Sequence, residues 1–482
     1  QESTVGQYDF KPTSKARFDA LIDRQGKDAV FSTSGLTPNS ASKSARNDEY
    51  YIVRRTRLYI DCAEQCASIS NAHFVRNTAF LGGAIGTDPA GEDNFFKIID
   101  STFEGNFAHG RGGAIFISGI NKGIFLQRVV FHQNSGVEGG ALAIMDNGGV
   151  RIYDTVGTEN IARVGGGGFL YSRFAFPLLF RNVTLTRNQA IGGGGGAVSL
   201  LATQATFQNV EITECKCTSS TTRTVGGGGL LVDEGSDAHI FDSTFQSNTA
   251  NGGPGGHINV IASALVVHDI GSGMEWPPQG PTFPWIDLLL AKVGTTMSQG
   301  RSTERGARGG AVGCQSASSS TGSFQVAGVD LLLNGCSGNI YDYFGPKTST
   351  ADITQAISSA GIDIDPAKIL KVFKDDDKRV CIGKGMYFGQ GTIIEHSHSD
   401  ENGGAIAATF CDVVLEKMIL TNSTSVEGDG GGIYLSTNSN LEIRNHSKLS
   451  SNTAKSGSGG AIACNDCASI KFKSGTEFQS NK

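Results

Sequence analysis

Two short motifs recur together along this chain, and their spacing leaves few folds open. Phe74 and Asn77, in the pattern Phe-x-x-Asn, precede Gly82-Gly83-Ala84-Ile85. Phe103 and Asn106 precede Gly112-Gly113-Ala114-Ile115, and Phe131 and Asn134 precede Gly139-Gly140-Ala141-Leu142. Weaker copies follow at Leu185 and Asn188 with 195–198, and at Phe245 and Asn248 with Gly255 and Gly256. Toward the C-terminus come 403–406, then Ile419 and Asn422 with 430–433, then Leu449 and Asn452 with 459–462. Taking the first glycine of each pair at 82, 112, 139, 167, 195, 228 and 255, the steps run from 27 to 33 residues. A fixed period in this range is the signature of a solenoid, whose repeats bury their apolar faces against one another.

The residues inside one period choose the type of solenoid. Short apolar runs such as Ala114-Ile115-Phe116-Ile117 and Ala141-Leu142-Ala143-Ile144 read as strands bounded by Gly, Asn, Ser and Asp turns. Three short strands and three turns fill such a period at about 3.3 Å per strand residue. The expected fold is therefore all-β: a right-handed parallel β-helix of more than eight coils, with the hand set by the general rule for parallel crossovers. In such a coil the motif Phe points into the core. Asn77, Asn106, Asn134, Asn188, Asn248 and Asn452 take equivalent turn positions, where stacked side chains form an inward ladder. The chain has 66 glycines, many at fixed offsets from an apolar run, which reads as ordered turns rather than disorder.

The paired motifs resemble the repeat of the chlamydial polymorphic outer-membrane proteins, over roughly 70–260 and 400–482. That resemblance implies an extracellular adhesive or structural stalk and supplies no catalytic residue. The chain divides on this reading into an N-terminal cap or extension at 1–50, β-helix repeats at 51–263, an insertion-rich segment at 264–400, and repeats again at 401–482.

Charge and cysteine usage bound the setting. The net charge of −6 and pI of about 5.9 come without a long basic run, which argues against a nucleic-acid partner. No 18-residue apolar stretch exists to make a membrane span. No cofactor motif is present. The ten cysteines suggest a secretory compartment. Disulfide candidates are the close pairs Cys62/Cys66 and Cys464/Cys467, and the pairs Cys314/Cys336 and Cys381/Cys411, spaced by about one coil. Cys215, standing where a motif Asn would follow Ile212, reads as a buried free thiol. Three sequons, at Asn182, Asn422 and Asn445, are glycosylation candidates. Asn422 falls on the buried motif position by this alignment, which favours Asn182 and Asn445.

Between about 264 and 400 the repeat is interrupted. Gly309-Gly310 stands 54 residues after Gly255-Gly256, which reads as two periods. The stretch 275–285 holds both tryptophans, Trp276 and Trp285, with Phe283 and several prolines. Such a stiff aromatic loop suits an interaction knob as well as a cover for the β-helix side. Two short helices are expected at 350–360 and 366–373, making the insertion partly helical. Catalytic signals are thin. The polar run from Glu395 to Asp400 would put His396, His398 and Asp400 on one face if extended, a metal triad in form, but its place before Gly403-Gly404 favours a solvated turn. Asp233, Glu234 and Asp237 cluster without a matching group one coil away. The expected function is a non-catalytic structural or adhesive surface protein, joined to other copies of itself or to other cell-surface proteins and glycans. A carbohydrate-active β-helix enzyme, lyase or glycoside hydrolase, is the alternative. The C-terminus falls inside a repeat, which leads to the expectation that a further coil or a neighbour meets it.

Overall fold

The computed structural model describes residues 58–60, 67–87, 95–119, 123–218, 226–234, 236–261, 263–268, 295–303, 308–315, 322–326, 329–333, 385–389, 391–437 and 439–482. Within them the chain is an all-β parallel solenoid, with one separate antiparallel pair, Gly322–Val326 and Val329–Leu333. No helix occurs among the described residues, and the two expected helices, at 350–360 and 366–373, lie outside them.

Each coil has four strand positions rather than the three expected from its length. In one coil these are Ile115–Ser118, Gly123–Gln127, Val130–His132 and Ser135–Gly136. The first three positions of all coils belong to one 32-stranded sheet, and the fourth builds a separate 11-stranded sheet. Ile115 pairs in parallel with Leu142 of the next coil, Ile124 with Val150, Phe131 with Gly157, and Ser135 with Ile161. The fourth position escapes a reading by apolar runs because its strands are two or three residues long.

One-residue corners make the extra bend possible. Between second and third strands the left-handed backbone falls on Asn71, Asp100, Arg128, Asp154, Asn182 and Asn209, with φ between 49° and 53°. Between third and fourth strands it falls on Arg76, Gly105, Gln133, Glu159, Arg187 and Glu214. Asn and Asp accept this conformation better than other non-glycine residues. The corner interrupts the in-out alternation: the residue before it and the corner residue both face outward, as Gln127 and Arg128 do, and the residue after it, Val129, is buried.

The motif Phe residues stack along the core. Phe74 and Phe103 lie 4.6 Å apart at a 2° interplanar angle, and Phe103 and Phe131 5.0 Å apart at 12°. Gly112 has φ +66°, and a Cβ on Gly113 would collide with the Gly140 carbonyl oxygen of the next coil, which explains the paired glycines.

The interruption resolves into two insertions within continuous stacking. Ile258 pairs with Val312, and Val312 with Ile406. Gly255 and Gly309 therefore stand in adjacent coils, not two periods apart. One insertion leaves the stack after Ala264–His268 and rejoins at Thr296–Ser298. The other leaves after Val312–Gln315 and rejoins at Gly385–Phe388. Ala264–His268 and Gly385–Phe388 are themselves neighbours in the sheet, Ala264 facing Gly385.

Candidate functional site

The asparagine ladder is the most regular polar feature. The Asn106 Oδ1 accepts the Asn77 backbone N–H at 2.9 Å and its Nδ2 at 2.8 Å. Asn106 Nδ2 in turn donates to Asn134 Oδ1 at 2.9 Å and to the Phe74 carbonyl at 2.9 Å. The pattern continues through Asn134, Asn160 and Asn188, and again from Asn452 to Asn481. Asn77, Asn106, Asn134, Asn188, Asn248 and Asn452 are all buried. These buried bonds between successive coils hold the coils in register. Asn160 belongs to it but escapes the motif, because Gly157 stands where the phenylalanine should be. The signal was its spacing, 26 residues from Asn134 and 28 from Asn188.

Two substitutions keep the ladder going. Cys215 takes an asparagine place, its N–H donating to Asn248 Oδ1 at 2.8 Å, with its thiol buried against the Leu185 carbonyl at 3.5 Å. Burial pushes the thiols of Cys215 and Cys217 up to about 12. At the next interruption Gly300 lacks a side chain, and the ring of His257 reaches into that place. Asn248 Oδ1 is occupied by Cys215, so the Asn248 amide donates to His257 Nδ1 at 3.0 Å, and the imidazole is the neutral Nε2–H tautomer. Burial pushes the His257 pKa down to about 3.

The cysteine pairing departs from the one-coil spacing. Cys314 bonds to Cys411 across 97 residues, and Cys464 to Cys467. Cys411 is thus not paired with Cys381, nor Cys314 with Cys336: the coil that separates Cys314 from Cys411 carries the second insertion, so a spacing of about 30 residues selected the wrong partners. Cys62, Cys66, Cys336 and Cys381 lie outside the described residues.

All three sequon asparagines occupy left-handed corners, single-residue at Asn182 and Asn422, each with φ 53°, and two-residue at Asn445 and His446, with φ 54° and 63°. Asn422 is exposed, which corrects its assignment to the buried motif position. Leu420 and Ser423 are the inward residues of that coil, one register later than Ile419 and Asn422. Asn182 Nδ2 donates to Asp154 at 3.0 Å and its Oδ1 accepts from Asn209 at 2.8 Å. The interaction loop, with Trp276, Phe283 and Trp285, lies outside the described residues.

The acidic and histidine clusters do not converge. His396 sits on a corner with φ 52°, so the strand breaks there and His396 is separated from His398 and Asp400, which contact each other at 3.2 Å. Glu234 is also a corner residue, in contact with Arg173 at 3.3 Å. Among the described residues no three His, Cys, Asp or Glu side chains stand so as to hold a metal ion.

The outward columns of the second strand differ from one end of the solenoid to the other. In the C-terminal coils they carry a network of ion pairs. Arg444 contacts Glu416 at 2.8 Å and Glu442 at 3.2 Å, and Lys473 contacts Glu442 at 2.7 Å. Tyr387 donates to Glu416 at 3.0 Å. Against its desolvation, hydrogen bonds from Asn445, Tyr387 and Arg444 hold the Glu416 carboxyl below its ordinary range. In the N-terminal coils the same face is different. One column runs Lys97, Phe125, Arg151, Leu179, and the other Ile99, Gln127, Tyr153, Arg181. Lys97 Nζ lies 5.7 Å from the Phe125 ring centre, and the Phe125 and Tyr153 rings meet edge-on at 5.5 Å. No acidic residue stands in either column from Lys97 to Gln208. The corner carboxylates beside these columns are bonded, Asp100 to Arg128 at 2.6 Å and Asp154 to the column residue Gln127 at 3.3 Å. Sequence reading missed this group because its members share a face only when the alternation within a strand and the coil period are applied together.

Neither the comparison with curated proteins nor that with solved structures gives a match. The resemblance drawn from the paired motifs is borne out by a family model, the Chlamydia polymorphic membrane protein repeat, which matches residues 100–118, the stretch that holds Phe103, Asn106 and Gly112-Gly113-Ala114-Ile115.

Proposed function

We propose that this chain is a non-catalytic, extracellular or cell-surface β-solenoid that works by adhesion or assembly, in a surface layer, appendage or filament. The observation that carries this reading is the division between inside and outside. Most coils repeat a packed interior of a large apolar residue, a buried polar residue and paired glycines, while the outward columns change from the ion pairs of Glu416, Arg444, Glu442 and Lys473 to a face that carries Lys97, Phe125, Arg151 and Tyr153. A body built this way is a rigid display for side chains on a long surface. The Chlamydia polymorphic membrane protein repeat at 100–118 supports a surface-type protein. The disulfides Cys314–Cys411 and Cys464–Cys467 favour an oxidising compartment. Its partners on this reading are other copies of itself or other surface proteins and glycans. The stretch 275–285 with Trp276, Phe283 and Trp285 is the proposed anchor, because it concentrates aromatics and prolines in the insertion that begins after the strand Ala264–His268.

The test compares the full chain with a 275–285 deletion in self-association, followed by light scattering and electron microscopy, and in attachment to cell surfaces. Weakened association or attachment with an unchanged β circular dichroism spectrum is expected. Depolymerisation of a polyuronide by the full chain, abolished by His398→Ala or Asp400→Asn, would give the function to a carbohydrate-active enzyme instead.

A further inference from the structure

The structure assigns Asn422 as the acceptor of an N-linked oligosaccharide, in preference to the other two sequon asparagines, Asn182 and Asn445. This deepens the reading of the chain as an extracellular protein and rests on it, because such sugars are added to secreted chains. In the modification Asn422 Nδ2 loses one hydrogen and bonds to C1 of the first sugar of a lipid-diphosphate-linked oligosaccharide. The C1–O bond to the diphosphate breaks, and the lipid diphosphate leaves with the proton. The sequon is Asn422-Ser423-Thr424. Folding withdraws its second residue: Ser423 is buried, and its N–H donates to Asn452 Oδ1 at 3.0 Å. Thr424 opens the short strand Thr424–Ser425 and pairs with Thr453 of the next coil. The transfer therefore acts before this coil closes, and the folded structure decides whether the sugar is tolerated.

The three corners differ in what their amides already hold. Asn422 is exposed, and its side-chain amide bonds to nothing among the described residues. Its backbone is fixed all the same, the N–H donating to the Ser450 carbonyl at 3.1 Å. The corner residues of the adjacent coils are His396 on one side and Ser451 on the other, both exposed, and neither bonds to the Asn422 amide. Asn422 Nδ2 thus gives up a hydrogen that the fold does not use, and a bulky, solvated substituent on it stays at the surface. Asn182 is held from both sides: its Nδ2 donates to Asp154 at 3.0 Å and its Oδ1 accepts from Asn209 at 2.8 Å. Asn445 Nδ2 donates to Glu416, whose carboxylate also takes Tyr387 and Arg444. A sugar on either of these nitrogens crowds the carboxylate that the amide already holds through a charge-assisted bond. Exposure alone does not separate the three, since all are exposed; the amide partners do.

The full chain, secreted from a cultured eukaryotic cell behind a supplied leader, tests the assignment. Peptide N-glycosidase in heavy-oxygen water converts each glycosylated asparagine to a labelled aspartate, which peptide mapping locates. The label is expected at Asn422, with lower occupancy at Asn182 and Asn445. Asn422→Gln should abolish the mobility shift that the enzyme produces on a gel, and Thr424→Ala, which keeps the asparagine and removes the sequon, should abolish it too. Asn182→Gln and Asn445→Gln should each leave the shift in place. Circular dichroism of the secreted chains shows that each variant keeps its β structure. The assignment is overturned if the secreted, folded chain carries no label at Asn422, or if Asn182 or Asn445 is labelled as fully as Asn422. Because the leader is supplied, the result does not depend on the chain's own destination; the surface reading stands or falls separately, on self-association and attachment.

Discussion

Phe169 occupies the space that Gly157 leaves open. In the preceding coils a phenylalanine stands on the third strand and an alanine follows the glycine pair, as with Phe131 and Ala141. One coil on, large and small exchange places: a Cβ on Gly157 would collide with the Phe169 ring, which packs edge-on against Phe131 at 5.6 Å. Interior volume is conserved while its source moves from one strand to another, as close packing demands.

Phe169→Ala should therefore leave a cavity and destabilise the chain by about 3–5 kcal/mol. Adding Gly157→Phe should recover a large part of that loss, although Gly157→Phe alone is strongly destabilising. Denaturant midpoints for the two single variants and the double variant check this. Additive effects would show that the two positions do not share a space.

Asn106→Leu removes the acceptor of two hydrogen bonds from Asn77 and the donor to Asn134 and Phe74. With the Asn77 N–H buried and unmatched, a loss of about 1–3 kcal/mol is expected. Hydrogen exchange should show the opening centred on the coils that hold Asn77 and Asn134. Protection unchanged at those coils would contradict the ladder's role in register.

His257 gives a pH signature. Its folded pKa of about 3 lies below the unfolded value of about 6.5. Between those values the unfolded chain binds the proton and the folded chain does not. Stability from this group is full above pH 6.5 and falls by about 1.4 kcal/mol per pH unit as pH drops through the window. The double variant His257→Ala/Gly300→Asn restores the ordinary motif. Unfolding curves at pH 7 and pH 5 should show a smaller acid loss in the variant than in the parent. Equal losses would mean that His257 does not stay neutral in the folded state.

The thiols should divide by burial. Cys215 and Cys217, with pKa values pushed up to about 12 by desolvation, should resist iodoacetamide in the native chain and react after denaturation. Unreduced peptide mapping should link Cys314 to Cys411. A link from Cys411 to Cys381 would instead restore the one-coil spacing.

The solenoid was legible in the residues alone, because most coils repeat the same local requirements: a large apolar residue, often Phe, for the core, a small polar residue, often Asn, after the corner, and glycine where the backbone of the next coil leaves no room for a Cβ. Asn77, Asn106 and Asn134 could be placed without coordinates, since nothing between them disturbs the period. What the sequence alone could not reach depends on contacts between coils whose separation along the chain is irregular. Cys314 meets Cys411 because an insertion loops out between adjacent coils, and chain distance then ceases to measure spatial distance. Asn422 faces solvent because a one-residue left-handed corner resets the alternation, so a register error of one position exchanges buried and exposed. The strip of Lys97, Phe125, Arg151, Tyr153 and Arg181 exists only once the strands are stacked, because its members come from four coils and share nothing but the face that stacking gives them.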